Sequence, residues 1–255
     1  MAEFFERMNE AYKEKNFPNA SILAKVGKNV KRNGIIAIVL LFGPIFLAST
    51  YGFFWAIGRT MELMAEGSEH TSFSIGICVF LGIVALLFLL FIVLTLRAGN
   101  KKPEAYYARS AKNSKLSENE IKNFEQQAFA SDCYILKMTD GLDRVLSNNP
   151  HKDGFLTRDY VYLSDPWLTV FHIEDLRICC FEDSTYYLNN KKVHCLKIRL
   201  TASNGVTTLA DTTKEAGLEL MKLLTERNSV VDNFGGNLLK EGAYEEFCKR
   251  VLERK

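Results

Sequence analysis

Two long apolar runs, Gly34–Gly58 and Thr71–Leu96, constrain this chain more than any other feature. Neither run contains a Lys, Arg, Asp, Glu or His, and only Arg59–His70 separate them. Each run is longer than the roughly 20 residues that a helix needs to cross the hydrocarbon core of a bilayer. The pattern predicts a transmembrane helical hairpin, with spans at 34–58 and 71–96 and a short loop at 59–70. It makes the lipid bilayer the first expected partner.

Cations flank the predicted spans unevenly. Seven Lys and Arg lie in residues 1–33, and more follow the second span from Arg97 onward. The loop between the spans has one cation, Arg59, against three glutamates. Because cytoplasmic flanks are enriched in Lys and Arg, we expect both termini in the cytoplasm and the loop outside. This predicts a multi-pass protein with two spans in the plasma (inner) membrane.

The rest of the chain divides by composition. Residues 1–33 carry an apolar stripe at i, i+4 spacing together with cations, which predicts an amphipathic juxtamembrane helix. That helix is expected either to lie on the inner leaflet or to dock on the soluble domain. Residues 97–115 form a basic connector, residues 116–228 a soluble domain, and residues 229–255 a turn and a closing helix.

The periodicity within 116–228 changes from helical to strand-like. Ser117–Glu120 begins one helix with a capping-box pattern, and Thr212–Glu215 begins another. Between them, alternating polar and apolar residues predict about five to seven antiparallel strands. A run of strands followed by a helix is typical of an α+β fold.

Part of this domain resembles a known family. Phe155–Leu163, with its early Leu-Thr, resembles a strand of bacterial pleckstrin-homology-like (PH-like) and GRAM-like domains, and Phe171–Ile178 is similar to the turn that follows it there. The resemblance covers Cys133–Arg227. It implies a bent antiparallel sheet capped by a C-terminal helix, and a binding or scaffolding module of a bacterial two-span membrane protein. The basic cluster of phosphoinositide-binding members is not matched in Lys137–Arg144, where two cations accompany two carboxylates.

No residue set in the sequence forms a recognisable catalytic or metal site. From Arg97 on, 24 Lys and Arg accompany 23 Asp and Glu, so nucleic-acid binding is not expected. His172 with Glu174 or Asp175 could form an acid–base pair, but their spacing favours a solvated turn. Several histidines and cysteines lie close in sequence: His172, Cys179, Cys180, His194 and Cys195. Their spacing matches no metal-binding pattern, and neighbouring residues of a strand point to opposite faces, so the adjacent pairs are not expected to bind one metal ion. We expect no enzyme activity, no metal, no cofactor and reduced thiols.

Three sets of residues are candidates for interactions. Small residues recur every four positions in the first span and allow close packing of helices, within the hairpin or with another chain: Ala48, Gly52 and Ala56. Candidate lipid-facing cations flank the spans: Lys25, Lys28, Lys31, Arg32, Arg97, Lys101 and Lys102. A candidate partner surface lies on the sheet edge and adjoining loops: Asp165, Trp167, Tyr186, Tyr187, Lys191 and Lys192.

The sequence therefore predicts a non-enzymatic integral membrane protein. Its cytoplasmic PH-like domain is expected to bind a protein partner or a second copy of the chain at the inner leaflet. The alternative is a regulator that senses anionic lipid or envelope stress through the N-terminal helix and the basic connector. An enzyme with an unrecognised site is the third hypothesis.

Overall fold

Two units make up the computed structural model, which describes residues 4–18, 20–67, 70–97, 103–139, 152–188, 191–239 and 243–253. The first, called here the folded unit, comprises Met1–Asn29 and Lys102–Lys255. The second, the apolar hairpin, comprises Val30–Lys101. The prediction of an α+β fold with two long apolar helices near the N-terminus is confirmed.

Helices dominate the N-terminal half of the chain. In chain order, the described helices are α1 (Glu10–Asn16), α2 (Ile22–Ala65), α3 (Thr71–Arg97), α4 (Pro103–Ser114), α5 (Glu118–Ala128), α6 (Lys214–Arg227) and α7 (Ala243–Leu252). Helices α2 and α3 are long and apolar enough to cross a membrane, and the mean hydropathy of their most apolar windows is 2.1 and 3.4. This is compatible with a two-span membrane protein.

Small and polar side chains lie between the two helices of the apolar hairpin. Ala56 is 2 % exposed, and a Cβ at Gly52 would lie 3.5 Å from a leucine side chain of α3. Thr60 Oγ1 lies 2.6 Å from Ser74 Oγ across the hairpin. Ala48 is exposed. Two of the three predicted helix-packing residues are thus used for packing within the hairpin.

The strands form two sheets. The first is antiparallel and keeps chain order: β1 (Phe5–Arg7), β2 (Tyr134–Leu136), β3 (Gly154–Leu156), β4 (Tyr160–Tyr162) and β5 (Val170–His172). The second has the order β8-β7-β6-β9, with β9 parallel to β6, and consists of β6 (Leu176–Leu188), β7 (Lys191–Ala202), β8 (Thr207–Asp211) and β9 (Leu238–Leu239).

One hydrophobic core joins both sheets to helix α6. It contains buried side chains from β2, β3, β7 and α6, among them Leu136, Leu156, Ile198, Leu200, Leu220 and Leu224. Helix α7 packs in a separate small cluster, where Phe247 lies with Ile178 and Cys180 of β6. Burying these aliphatic and aromatic groups supplies the main driving force for folding.

The first predicted helix start is confirmed, whereas the cap of the second is Thr213 and not the predicted capping box Thr212–Glu215. Ser117 and Glu120 form a reciprocal capping box at the start of α5, because each side chain accepts from the other residue's backbone N–H. At α6, the Thr213 hydroxyl accepts from the N–H of Ala216. Such caps satisfy backbone donors that a helix cannot pair internally.

Residues 1–33 are not one amphipathic helix. Phe5–Arg7 form strand β1, which pairs antiparallel with β2, so that Phe5 lies opposite Leu136 and is buried. The i, i+4 spacing of apolar residues here indicated a helix, but pairing with a strand that is distant in sequence determines the local structure. Among the described residues of this stretch, only Glu10–Asn16 form a separate helix, α1.

Two predicted boundaries also move. The basic connector 97–115 contains helix α4, which begins with a proline, a residue whose fixed φ suits the first position of a helix. The helix that carries the first apolar run begins at Ile22, 12 residues before the predicted span. Its first turns belong to the folded unit.

Candidate binding surfaces

The folded unit holds the start of α2 through a buried carboxylate. The side chains of Ile22, Leu23 and Val26 are fully buried. Glu125 of α5 accepts hydrogen bonds at Oε1 from the Leu23 N–H (2.8 Å) and the Ser21 hydroxyl (3.0 Å), and at Oε2 from the Tyr107 hydroxyl (2.8 Å). A negative charge at a helix N-terminus is favourable because it complements the helix dipole and the unpaired N–H groups.

Burial opposes that charge. It raises the pKa of Glu125 above its ordinary value, although the hydrogen bonds from the Leu23 N–H and from the Tyr107 and Ser21 hydroxyls act in the opposite direction. The Glu125 carboxylate therefore loses its hydration where it caps α2, and this loss opposes its charge. A carboxylate that three donors surround is the kind of polar group that structures bury.

A glycine brings helix α4 close to α2. A Cβ placed on Gly27 would lie 2.3 Å from the Tyr106 ring, so that only glycine fits against this ring. Tyr106 is itself buried. Sequence reasoning missed Gly27, Tyr106 and Glu125. The one available signal was Ser21 directly before an apolar pair, which is a typical N-cap position.

Three side chains of α4 fix the loop that carries Trp167. Arg109 donates to the carbonyl of Pro166 (3.3 Å), Asn113 to that of Trp167 (2.6 Å) and Ser110 to that of Leu168 (2.6 Å). The Trp167 ring is 65 % exposed, with the Arg109 guanidinium 6.0 Å from its centroid. The loop thus presents an aromatic side chain to solvent on a fixed backbone.

Asp165 does not belong to the surface on which it was predicted. It is buried, and its carboxylate accepts from the N–H (2.7 Å) and the hydroxyl (2.8 Å) of Thr169. Burial raises the pKa of Asp165 despite these bonds. Its role is to hold the loop, because a short acidic side chain can bond backbone donors nearby. Trp167 is the exposed member of this pair.

Tyr186, Tyr187, Lys191 and Lys192 lie in the hairpin of β6 and β7. The register pairs Tyr187 with Lys192 and Leu188 with Lys191. The backbone therefore brings together four residues of the predicted partner surface at the end of the hairpin. Asp165 and Trp167 lie elsewhere, in the loop that α4 holds.

The predicted lipid-facing cations differ in their surroundings. Lys25 is half-buried, where its ammonium group donates to the carbonyl of Asn16 and lies over the Phe17 ring. Lys25 is therefore part of the folded unit, because its ammonium group and its alkyl chain contact neighbouring residues there. Lys28 and Arg32 are exposed, and Lys31 is partly exposed. The side chain of Arg97 and the whole of Lys101 and Lys102 lie outside the described residues.

Cys133, Cys179 and Cys180 are buried, and His172 packs against an aromatic ring. Burial raises the pKa of Cys133 and of Cys180 to about 12 and also raises the pKa of Cys179 well above its ordinary value, so these thiols remain protonated. His172 packs edge-on against the Tyr160 ring, with 5.0 Å between centroids. Among the hydrogen bonds of the described residues, none joins His172 to Glu174 or Asp175.

Two cavities of the folded unit have linings of mixed polar and apolar residues. One, of about 290 Å³, lies beside Trp167 and is bordered by Lys197 and Arg199. The other, of about 420 Å³, lies beside α6, where its charged lining residues are Lys222 and Glu226. Neither cavity is lined by His172, Glu174 or a cysteine. In the described part of the chain, no three His, Cys, Asp or Glu side chains are grouped to hold a metal ion.

Three features of the folded unit are thus candidates for interactions: the start of α2, the Trp167 loop, and the hairpin of β6 and β7. The first two are assembled from segments far apart in sequence, whereas the hairpin consists of consecutive strands. No protein-family model, no curated protein and no solved structure matches this chain.

Proposed function

We propose that this chain is a two-span integral membrane protein whose folded unit is a non-enzymatic binding module. In this proposal both termini are cytoplasmic, and the module binds a protein partner or a second copy of the chain at the inner leaflet. Tethering raises the effective concentration of the module for any partner in the same membrane, so that weak contacts become sufficient.

The single observation that carries the proposal is the position of the start of α2. Ile22, Leu23 and Val26 are buried in the folded unit, and Glu125 caps the helix there. The same helix then continues through the first apolar run to Ala65. A binding module that must stay at a membrane gains from this arrangement, because its anchor helix is also part of its core.

The strand order supports a PH-like module. Strands β2, β3, β4 and β5 pair in chain order, β6, β7 and β8 form the next antiparallel set, and α6 follows. Leu220 and Leu224 of α6 lie in the core that both sheets share. Antiparallel strands closed by a C-terminal helix are what the resemblance of Phe155–Leu163 implies. Strands β1 and β9 and helix α7 are additions to it.

The chemistry of the folded unit favours binding over catalysis. The buried thiols have raised pKa values, which removes them as nucleophiles. An exposed tryptophan on a fixed loop is instead typical of a contact surface, where aromatic residues contribute large contact areas.

Sensing of anionic lipid is the second candidate function. It rests on Lys28 and Arg32, which are exposed on one side of α2 shortly before the first apolar run. Each cation near an anionic leaflet contributes about 1 kcal/mol. Two such residues strengthen attachment to lipid, but they do not by themselves explain a folded module.

The test begins with native membranes that contain the tagged full-length chain. Carbonate extraction should leave the protein in the membrane. Protease added to the cytoplasmic side should degrade the folded unit, and a tag in the 59–70 loop should be accessible only from outside. After gentle detergent extraction, the native mass should exceed that of one chain in its micelle.

Two results contradict the proposal. Release by carbonate shows that the apolar helices do not span the bilayer. A monomer at near-native expression, with no co-purifying protein in stoichiometric amount, shows that the folded unit does not act as a binding module. Vesicle flotation with and without anionic lipid, using the Lys28→Ala/Arg32→Ala variant as the control, tests the second candidate.

A further inference from the structure

Helix α7 is held to the folded unit by a small contact. Among the ten residues of α7, all of which the structure describes, only Phe247 is buried. The Phe247 ring lies edge-on against Phe234, with 5.2 Å between the ring centroids. In α6, by contrast, five of the fourteen residues are buried. A helix as short as α7 is not stable alone in water, so its helical form depends on this contact.

Polar contacts hold the first turn of α7 to strand β7. The Tyr244 hydroxyl lies 2.5 Å from Thr201 Oγ1, and the Arg199 guanidinium lies 3.9 Å from the centroid of the Tyr244 ring. Arg199 also forms an ion pair with Glu182 of β6, with 2.5 Å between Nε and Oε2. This ion pair stays intact when α7 is absent, so that undocking of α7 leaves no buried charge without a partner.

Neighbouring residues of strand β6 lie in different apolar clusters. Cys179 is part of the main core that both sheets share with α6, whereas Cys180 lies in the small cluster with Phe247. Both cysteine side chains are fully buried. Successive residues of a strand point to opposite faces, which explains this division. Cys180 is therefore covered by α7, and Cys179 is covered by the main core.

The chain before α7 is attached to β6 independently of the helix. Strand β9 pairs parallel with β6 at Phe181 and Glu182, and Asp232 forms a bridge with Ile178. Neither attachment uses a residue of α7. The helix can therefore leave while β9 and both sheets stay in place. Such units open at a lower free energy than the whole domain, because fewer buried contacts are lost.

We infer that α7 is a cover that opens as a unit of its own and exposes an apolar strip of the second sheet. The strip consists of Ile178 and Cys180 of β6 and Leu239 of β9, and the ion pair of Arg199 and Glu182 borders it. The inference goes beyond the proposed function, because it gives the folded unit a second contact surface that is concealed while α7 is closed. Whatever displaces α7 makes this surface available.

Maleimide labelling of the full-length chain in detergent micelles tests this opening. Cys133 and Cys180 are both fully buried, and burial raises the pKa of each to about 12. The two thiols are thus comparably unreactive in the closed form, so that a difference between their labelling rates measures a difference in opening. The rate follows the population of the open form when closing is faster than labelling. Tandem mass spectrometry separates Cys180 from the adjacent Cys179.

We expect Cys180 to be labelled at least about a hundredfold faster than Cys133 and Cys179. Phe247→Ala removes the buried ring of α7 and should accelerate the labelling of Cys180 by at least about tenfold, while the rates of Cys133 and Cys179 change by less than about twofold. The matched control is Leu224→Ala in the main core. This substitution should accelerate Cys133 and Cys179 and leave the rate of Cys180 within about threefold.

Hydrogen exchange of the unchanged chain is a second measurement that needs no substitution. The backbone amides of α7 should exchange at least about a hundredfold faster than those of α6, because separate opening of α7 breaks its hydrogen bonds without unfolding the main core. Equal protection of the two helices contradicts separate opening.

Three labelling results would overturn the inference. Equal rates for Cys180 and Cys179 in the unchanged chain show that α7 opens only when the whole unit unfolds. Labelling of Cys180 at the rate of a free thiol shows that α7 does not cover it. Acceleration of all three thiols by the same factor in Phe247→Ala shows that α7 belongs to the main cooperative unit. The carbonate and native-mass experiments test the proposed function separately, because labelling needs neither a partner nor a bilayer.

Discussion

Replacing Glu125 by alanine should destabilise the folded unit more than any other change to an exposed or half-buried carboxylate. The substitution removes the acceptor for the Leu23 N–H, the Ser21 hydroxyl and the Tyr107 hydroxyl. The two groups at the start of α2 are buried, so water cannot easily replace the lost bonds.

The size of the effect follows from these contacts. Loss of a helix cap costs about 1 kcal/mol, and a buried donor left without a partner costs about 1–3 kcal/mol. Part of this loss of stability is offset, because the substitution also removes a carboxylate whose desolvation was unfavourable. The net loss in the free energy of unfolding should be about 2–4 kcal/mol. For a unit of this size, about 2–4 °C per kcal/mol converts that loss into a Tm lower by about 4–16 °C.

Thermal unfolding of the full-length chain in detergent micelles measures this shift. Trp167 is the fluorescence probe, in a Trp55→Phe background that removes the tryptophan of the apolar hairpin. The matched control is Gln126→Ala, an exposed neighbour on the same helix, which should stay within about 0.5 kcal/mol of the parent. If Glu125→Ala and the control have the same Tm, Glu125 does not hold the start of α2.

Three further results are expected. Burial raises the pKa of Glu125 in the folded state above 4.5. The protonated form of Glu125 therefore contributes stability that is fully present below pH 4.5 and is lost as the pH rises through the folded-state pKa. Denaturant titrations at several pH values should show that the parent loses stability relative to Glu125→Gln over this window. Gly27→Ala should lower the free energy of unfolding by about 1–3 kcal/mol through overpacking against Tyr106, whereas Gly34→Ala, with no atom within 4 Å of the new Cβ, should not. A maleimide should modify Cys195 in the folded protein but leave Cys133 unmodified, because burial raises the pKa of Cys133 to about 12, and peptide mass spectrometry will distinguish the two.

The parts of the fold that could be predicted are those that depend on local sequence. The apolar runs determine the two long helices. The pattern Ser117–Glu120 gives the start of α5, and the pattern Thr212–Glu215 gives the start of α6 to within one residue. Ser203–Gly205 between two apolar alternations gives the turn that joins β7 and β8. Such signals act over four or five residues, and the neighbouring structure does not oppose them.

The parts that could not be predicted depend on contacts between distant residues. Phe5 lies opposite Leu136 in the sheet, and nothing within Phe4–Tyr12 distinguishes that strand from an amphipathic helix. The sequence predicts Asp165 on a partner surface together with the loop that carries Trp167. Its carboxylate instead bonds Thr169, an arrangement that only the bend of the loop creates.

The start of α2 shows why hydropathy alone misplaces the boundary between anchor and module. Ile22, Leu23 and Val26 lie on one face of the helix at i, i+1 and i+4, and they are as apolar as residues of the span. Lipid cannot enclose this stretch, because the cations that follow on the same helix, Lys28 and Arg32, need water or headgroups. Protein can cover one face and leave the other wet, which is what α4 and α5 do here. An apolar stripe interrupted by cations directly before a long apolar run therefore indicates that folded protein covers the first turns of the helix that carries this run.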